Sequence, residues 1–357
     1  MPAAAFFPLS VVDLERDTPD SVLVTFEPDD PDTFRFRHGQ YLTLRREVEG
    51  VELRRSYSIC SPAPEGRLRV GIKRVDGGAF STWANSALAV GDRVESLPPA
   101  GSFTHDLDPG SRRSYVLVAG GSGITPIFSV AATVLEREPS ALVTLLQVDR
   151  STSSIMLLDD IEGLRNRFLE RFRVWRHLSR EETGVAVLSG RPDRSGLERC
   201  IDRGMLDAVP DQVFVCGPSG LVETVRDVYR ARGMAGPAIH VELFSAVQQG
   251  RAPSRALGPV DDSVEPVGAG EVLLSGRRSS FSMYPGDSIL AAVQRTRPEV
   301  PYSCEAGVCS TCRARLEAGS VEMVNTYGLV PGDEAAGFVL TCQAIPTTTT
   351  VSVDFDV

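Results

Sequence analysis

Through the first third of the chain, apolar and polar residues alternate in short runs. Ser21–Phe26, Tyr41–Arg45, Arg55–Ile59 and Arg67–Lys73 each read as a strand with one buried and one solvated face, and Pro, Gly and Asp separate them. Many short runs of this kind predict a small antiparallel β-barrel. From Ser114 the texture changes. Apolar runs at Tyr115–Ala119, Ala141–Gln147, Arg173–His177 and Gln212–Cys216 alternate with helical stretches at Ile127–Arg137, Ile155–Glu170 and Gly220–Arg232. That alternation predicts an α/β domain with a parallel sheet and crossover helices. Between Ala246 and Gly268 a Pro/Gly/Gln/Asp-rich stretch has no period and reads as a linker. The last block predicts an opening hairpin, a short helix at Ser288–Arg295, a cysteine loop and a final strand at Thr350–Phe355. The expected organisation is multidomain: a barrel over 1–110, an α/β domain over 111–245, a linker over 246–268 and a C-terminal domain over 269–357.

Composition narrows the class. A length of 357 residues suits two or three domains rather than one core. The content of 42% hydrophobic and 24% charged residues is that of a soluble globular protein. No apolar run approaches the ~18 residues that a membrane span needs. A net charge of −10 argues against nucleic acid as a partner, because phosphate binding needs a basic surface. The segment Met1–Pro8 lacks the basic and apolar regions of a secretory signal, and seven cysteines is an odd number. Both features point to a reducing, cytoplasmic setting.

Four of those cysteines carry the most chemistry. Cys304, Cys309 and Cys312 stand in Tyr302-Ser-Cys-Glu-Ala-Gly-Val-Cys-Ser-Thr-Cys312, and Cys342 follows in Leu340-Thr-Cys-Gln343. This is the C-x4-C-x2-C…C spacing that holds a plant-type [2Fe–2S] cluster through four thiolates. A short loop loosened by Gly307 wraps three thiolates round a small core, and a distant element supplies the fourth. A zinc site would pair its cysteines as two short clips, and only one is present. Cys60, Cys200 and Cys216 read as small buried side chains, with Cys216 set apart by its place at a strand end.

Two glycine-rich turns suggest phosphate sites. Gly77-Gly-Ala-Phe-Ser81 opens a predicted helix at Phe80–Leu88, where free N–H groups at a helix start attract an anion. Upstream, Arg55 offers a charge-assisted contact to a pyrophosphate, Tyr57 a flat apolar face, and Ser58 a hydroxyl. Taken singly, a strand Tyr is ordinary packing and Gly-Gly an ordinary turn. The strand Tyr115–Ala119 runs into Gly120-Gly-Ser-Gly-Ile-Thr-Pro126, a strand-to-helix turn suited to a nucleotide's phosphates. Its glycine order is not G-x-G-x-x-G, so a plain Rossmann dehydrogenase is not indicated. The strand Val213–Cys216 ends in Cys-Gly-Pro218 at a carboxyl edge, where doubly wound sheets bind ligands. Arg150, Arg180 and Arg191 follow later strands, with Ser179 beside Arg180. They suit a phosphate monoester, or equally a solvated surface. The four histidines are scattered without metal spacing, and His38 reads as structural.

Together these motifs resemble the ferredoxin–NADP reductase superfamily. Its R-x-Y-S and G-G-x-x-S segments, its G-G-x-G-[IV]-T-P turn and its C-G-P segment all occur in family order, with a plant-type ferredoxin after them. The chain looks like an oxygenase reductase of the flavin-then-ferredoxin type. The segment Glu52–Cys60, the cysteine loop and the tail Val351–Asp356 are similar to the reductase subunits of phenylacetyl-CoA epoxidases and of 3-ketosteroid 9α-hydroxylases. The resemblance implies an α+β, β-grasp ferredoxin domain and the cofactors FAD, NADPH and a [2Fe–2S] cluster. It places Arg55, Tyr57 and Ser58 on the flavin, with Gly78, Ala79, Phe80 and Ser81 at its pyrophosphate. It sets Gly121 and Gly123 in the nucleotide turn, and Thr125 and Cys216 beside the nicotinamide. Arg150, Ser179, Arg180 and Arg191 fall on the 2′-phosphate, Glu242 and Phe244 close the segment over the flavin, and Ser58, Cys216 and Glu242 are the catalytic group.

The implied reaction carries a hydride from NADPH to FAD and then single electrons through the cluster to a separate oxygenase. A stand-alone flavin or quinone reductase and a non-enzymatic redox sensor are the alternatives. The sensor is disfavoured because it needs no hydride path. Two departures stand out: His38 where Pro is frequent, and Glu305 where a basic residue is common. A carboxylate beside the cluster is expected to disfavour the more negative reduced state.

Overall fold

The computed structural model describes residues 6–48, 51–182, 184–190, 192–244, 264–329 and 332–357. Phe7–Phe244 pack as one compact unit and the C-terminal segment as a second. Among the described residues no helix is long and apolar enough to cross a membrane.

The first unit opens with the antiparallel sheet that the alternating pattern predicts. Its strands are β1 (Phe7–Thr18), β2 (Ser21–Pro28), β3 (Tyr41–Val48), β4 (Val51–Ser58), β5 (Leu68–Lys73) and β6 (Arg93–Ser96), in the order β4-β3-β6-β1-β2-β5. An antiparallel bridge between Ile59 and Val70 joins the two outer strands and closes the barrel. Leu9, Val24, Leu42, Ile59 and Ile72, all fully buried, fill the inside. Helix α1 (Ala79–Ser86) follows β5. The long strand β1 and the short β6 were not expected, since neither holds a clean alternation.

Next comes a five-stranded parallel sheet in the order β11-β10-β7-β8-β9. Its strands are β7 (Ser114–Gly120), β8 (Leu142–Asp149), β9 (Phe172–Leu178), β10 (Gln212–Gly217) and β11 (Ile239–Leu243). Helices α2 (Ile124–Arg137), α3 (Leu158–Arg167), α4 (Arg194–Asp202) and α5 (Ser219–Ala231) supply the crossovers. Nearly all of α2 is buried, because it packs on the sheet and shares a core with Leu23, Cys60 and Phe103 of the barrel side. Hydrogen bonds reinforce that seam: Ser129 Oγ donates to Ser61 O at 2.7 Å, and Ala63 N donates to Thr133 Oγ1 at 3.0 Å. Helix α3 starts later than the expected Ile155. Ser151 and Ser154 cap a single 3-10 turn at Thr152–Ser154, and Leu157, at φ 57°, breaks the backbone before Leu158. Helix α4 escaped sequence reading because its buried face is only Gly196, Leu197, Cys200 and Ile201.

The second unit is α+β. A hairpin of β12 (Gly268–Leu274) and β13 (Arg277–Met283) leads to α6 (Ile289–Gln294), which Ser288 caps by accepting from Ala291 N at 3.2 Å. Then follow β14 (Arg313–Ala318), β15 (Val321–Met323), β16 (Phe338–Leu340), β17 (Ala344–Pro346) and β18 (Thr350–Asp354). The main sheet runs β13-β12-β18-β14-β16, with β12 and β18 parallel at its centre. All six residues of α6 are buried, and with the sheet they form the expected β-grasp arrangement. The opening strand starts at Gly268, the last residue of the predicted linker. Linker residues 246–263 lie outside the described residues.

Candidate active site and cluster loop

The nucleotide edge is built by glycines that let two strand ends touch. A Cβ on Gly123 would sit 2.3 Å from Cys216 O, and one on Gly120 would sit 2.7 Å from Pro218 Cδ. The turn after β7 therefore lies directly against the end of β10, and any side chain at Gly123 would force them apart. Gly121 adopts φ 55° with open space around its Cα, leaving the start of α2 uncovered on that side. Thr125 is buried, its Oγ1 donating to Ser122 O at 3.0 Å.

Three side chains meet across this edge. Strand register sets Cys216 beside Glu242, and the end of β4 brings in Ser58. Ser58 Oγ donates to Glu242 Oε2 at 3.3 Å, and Cys216 Sγ lies 4.0 Å from the same oxygen. Burial pushes the Glu242 carboxyl up to about 8, and donation from Ser58 offsets this only in part. Burial, with Glu242 close by, also pushes the Cys216 thiol well up. At neutral pH the group is thus a protonated carboxyl between a hydroxyl and a neutral thiol, able to hold or release one proton. Phe244, two residues along β11's direction, is exposed.

The expected flavin residues border the same barrel edge. Arg55 is exposed and its guanidinium donates to Arg54 O at 2.7 Å, while Tyr57 is half-buried 5.6 Å from the Phe80 ring. Gly78 caps α1 without any side-chain bond, so the first N–H groups of that helix have no capping side chain. Ser81 Oγ accepts from Val75 N at 3.1 Å and fixes the turn. A backbone cradle of this kind fits the pyrophosphate of FAD. Phe80 is 1% exposed and packs in the core, so only its backbone is placed for such a contact.

At the far strands, Ser179 N donates to Asp149 O at 2.9 Å and Arg180 N donates to Arg150 O at 2.8 Å. These bonds set Arg150, Ser179 and Arg180 side by side, with both guanidinium groups exposed. Arg191 lies outside the described residues. Sequence reasoning missed Asp149. It is 6% exposed, its Oδ2 has no hydrogen-bond partner, and burial raises its carboxyl to about 7. Only its place at the end of an apolar run, one residue before Arg150, signalled it.

The four cysteines gather as two pairs. Cys304 neighbours Cys309, and Cys312 neighbours Cys342. Among the described residues no three metal-ligating side chains converge on one ion position. Two thiol pairs are instead what a two-iron core takes, one pair to each iron. The donor set is sulfur only, and Ala306 N donates to Cys304 Sγ at 3.4 Å, as a thiolate wants. These residues fit a [2Fe–2S] cluster. Cys304 is half-buried whereas Cys312 and Cys342 are buried, so the first pair lies nearer the surface.

Three of the four histidines, scattered in sequence, come together in space. His38 Nε2 lies 3.2 Å from His105 Nδ1, His105 Nε2 lies 2.9 Å from Tyr115 Oη, and the ring of His240 stacks on Phe214. Desolvation holds His38 near 4, His105 near 3 and His240 near 4, so all three are neutral links across the barrel seam.

Comparison with known proteins agrees with this geometry. Residues 8–105 match an oxidoreductase FAD-binding domain, 117–227 an oxidoreductase NAD-binding domain, and 272–347 a 2Fe-2S iron-sulfur cluster binding domain. The chain is 34% identical to one of the subunits of 1,2-phenylacetyl-CoA epoxidase from Escherichia coli K12, over 98% of each chain. It is 29% identical to the ferredoxin reductase component of 3-ketosteroid-9-alpha-monooxygenase from Rhodococcus rhodochrous, over 97% of this chain and 96% of that one. Among solved structures, phthalate dioxygenase reductase shares the fold over 98% of both chains, with a TM-score of 0.61 at 24% identity. An intact type IV self-sufficient cytochrome P450 monooxygenase contains the same fold, the chain spanning 41% of its length with a TM-score of 0.69 at 24% identity. The chain is an oxidoreductase that belongs to the ferredoxin–NADP reductase superfamily and joins FAD-binding, NAD-binding and 2Fe-2S domains in one polypeptide.

Proposed function

We propose that this chain is the reductase component of a multicomponent oxygenase, and that its partner is a di-iron enzyme of the phenylacetyl-CoA epoxidase type. The observation that carries the reading is the presence, in one chain, of the Ser58–Glu242–Cys216 group and two paired thiol sets. When bound, FAD accepts two electrons as a hydride and the [2Fe–2S] cluster passes them on singly. The chain's own residues do the rest. Gly121, Gly123 and Thr125 seat the nicotinamide nucleotide, and Cys216 excludes water beside its ring. Ser58 and Glu242 hold the proton that must leave the flavin site as electrons depart. Arg55, Tyr57 and the cradle from Gly78 to Ser81 hold FAD. Arg150, Ser179 and Arg180, with Arg191, favour NADPH through its 2′-phosphate, since planar guanidinium groups fit a phosphate monoester.

The barrel over 1–110, the nucleotide domain over 111–245 and the ferredoxin domain over 269–357 are the working parts. The cluster is held by Cys304, Cys309, Cys312 and Cys342, and the pair nearer the surface directs docking to the face around Glu305 and Val308. Seven cysteines, with no disulfide among the described residues, suit a cytoplasmic setting.

Identity over 98% of both chains favours the epoxidase type. A Rieske oxygenase such as a 3-ketosteroid 9α-hydroxylase is the second reading, favoured by 29% identity over nearly full length. Mixing the purified chain and NADPH with each oxygenase type, and comparing product with NADPH consumed, separates the two. Product coupled to NADPH with the di-iron partner is expected. Coupling with the Rieske partner alone would reverse the order of the readings.

A further inference from the structure

Four cysteines account for metal ligation but not for the shape of the loop that carries three of them. Glu305, Gly307 and Ser310 have φ of 50°, 71° and 58°. The loop thus turns three times through the left-handed region, which costs energy for the two that are not glycine. Such a backbone persists only when its surroundings hold it.

Two side-chain amides do the holding. Asn325 Nδ2 donates to Ala306 O at 3.0 Å and to Gln343 Oε1 at 2.9 Å. Gln343 Nε2 donates one N–H to Glu305 O at 2.9 Å and shares the other between Cys342 O at 3.2 Å and Cys342 Sγ at 3.6 Å. Two consecutive loop carbonyls thereby find side-chain donors, while the N–H of Ala306 points at Cys304 Sγ. A backbone N–H aimed at sulfur favours its negative form. The pair also occupies the space beside the loop: a Cβ on Gly307 would lie 2.3 Å from Asn325 Oδ1 and 2.6 Å from Gln343 Cγ. Rotating either amide would set oxygen against carbonyl oxygen, so the network fixes both orientations. Gln343 is 7% exposed, and water competes little for these bonds. Its own carbonyl accepts from Val324 N at 3.0 Å, tying the pair into the fold.

We propose that Asn325 and Gln343 are a positioning pair for the iron–sulfur cluster, and that the Gln343 amide raises its reduction potential by donating to Cys342 Sγ. This rests on the reading of the four thiols as the cluster's ligands. The pair acts in two separable ways. Ties to Glu305 O and Ala306 O keep the loop's sulfurs inward and slow loss of iron. Donation to the Cys342 thiolate grows stronger when the cluster gains an electron, and so favours the reduced form.

The test uses the full-length protein as wild type, Gln343→Leu, Gln343→Met and Asn325→Leu. Iron and sulfide content, the bleaching rate under excess chelator and an EPR-monitored redox titration are measured on each. Both Gln343 variants are expected to show a reduced-to-oxidised ratio about tenfold lower at the wild-type midpoint, equivalent to about 59 mV for one electron. Asn325→Leu, which cuts the Ala306 tie but keeps the Gln343 amide beside sulfur, is expected to bleach several-fold faster with a much smaller potential shift. Wild-type potential in both Gln343 variants would overturn the electrostatic half, and wild-type bleaching in Asn325→Leu the mechanical half. If Gln343→Leu assembles no cluster, Gln343→Met, of similar length and likewise uncharged, carries the titration. Wild type without two irons and two sulfides would sink the cluster reading itself, before any variant is made.

Discussion

Glu242 is a carboxyl with a hydroxyl and a thiol for neighbours and burial as its dominant influence. Its folded-state pKa is raised from 4.5 to about 8, so between those values the folded chain keeps a proton that the unfolded chain releases. Stability contributed at this site therefore falls as pH rises through that window. Glu242→Gln is expected to lose less stability than the parent between pH 5 and 8 in urea titrations. The same variant should lose the limb near pH 8 in the pH profile of NADPH-driven turnover, with kcat about a hundredfold lower. An unchanged pH profile would remove Glu242 from the proton path. On the nucleotide side, Arg150→Ala and Arg180→Ala are each expected to raise KM for NADPH by roughly tenfold to a hundredfold, as for loss of a charged hydrogen bond, leaving KM for NADH unchanged. Equal effects on both nucleotides would assign the arginines elsewhere.

At the level of elements, close backbone approach does what side chains cannot. The turn after β7 meets the end of β10 because Gly123 has no Cβ. Gly123→Ala should cost about 1–3 kcal/mol as an overpacked contact and raise KM for NADPH, with the cluster's visible spectrum unchanged. Much of this was legible in the sequence. Tyr115–Ala119 and Gln212–Cys216 are long enough apolar runs to declare parallel strands, and the glycine turn after β7 follows directly. Helix α4 and strand β1 were not legible, since each keeps too few apolar residues in a regular period for its role to show before packing. The histidines show the same limit. His38, His105 and His240 come from the segment before β3, the connection into β7 and strand β11, and only tertiary folding brings them together. Their lowered pKa values have the opposite sign from that of Glu242. The unfolded chain binds protons between pH 6.5 and about 4 that the folded chain refuses, so stability falls as pH drops. His38→Gln is expected to flatten that acid limb in thermal melts at pH 4 to 7.

For the whole molecule, FAD-binding, NAD-binding and 2Fe-2S domains follow one another in a single chain. The barrel and nucleotide sheet share a buried seam, and the C-terminal unit has a core of its own. Cysteine spacing alone singled out the four thiols proposed to hold the cluster, whereas the amide pair behind them came to light only in three dimensions, because Asn325 and Gln343 carry no motif. On the proposed reading, reducing equivalents from NADPH reach the cluster through the flavin site of the same chain. Its most direct test is an anaerobic NADPH titration of the full-length protein, followed at once by visible absorption and EPR, beside Cys342→Ser. The expected result is flavin bleaching together with a paramagnetic reduced-cluster signal in the wild type, and flavin bleaching alone in the variant. Flavin bleaching in the wild type with no cluster signal would contradict the account.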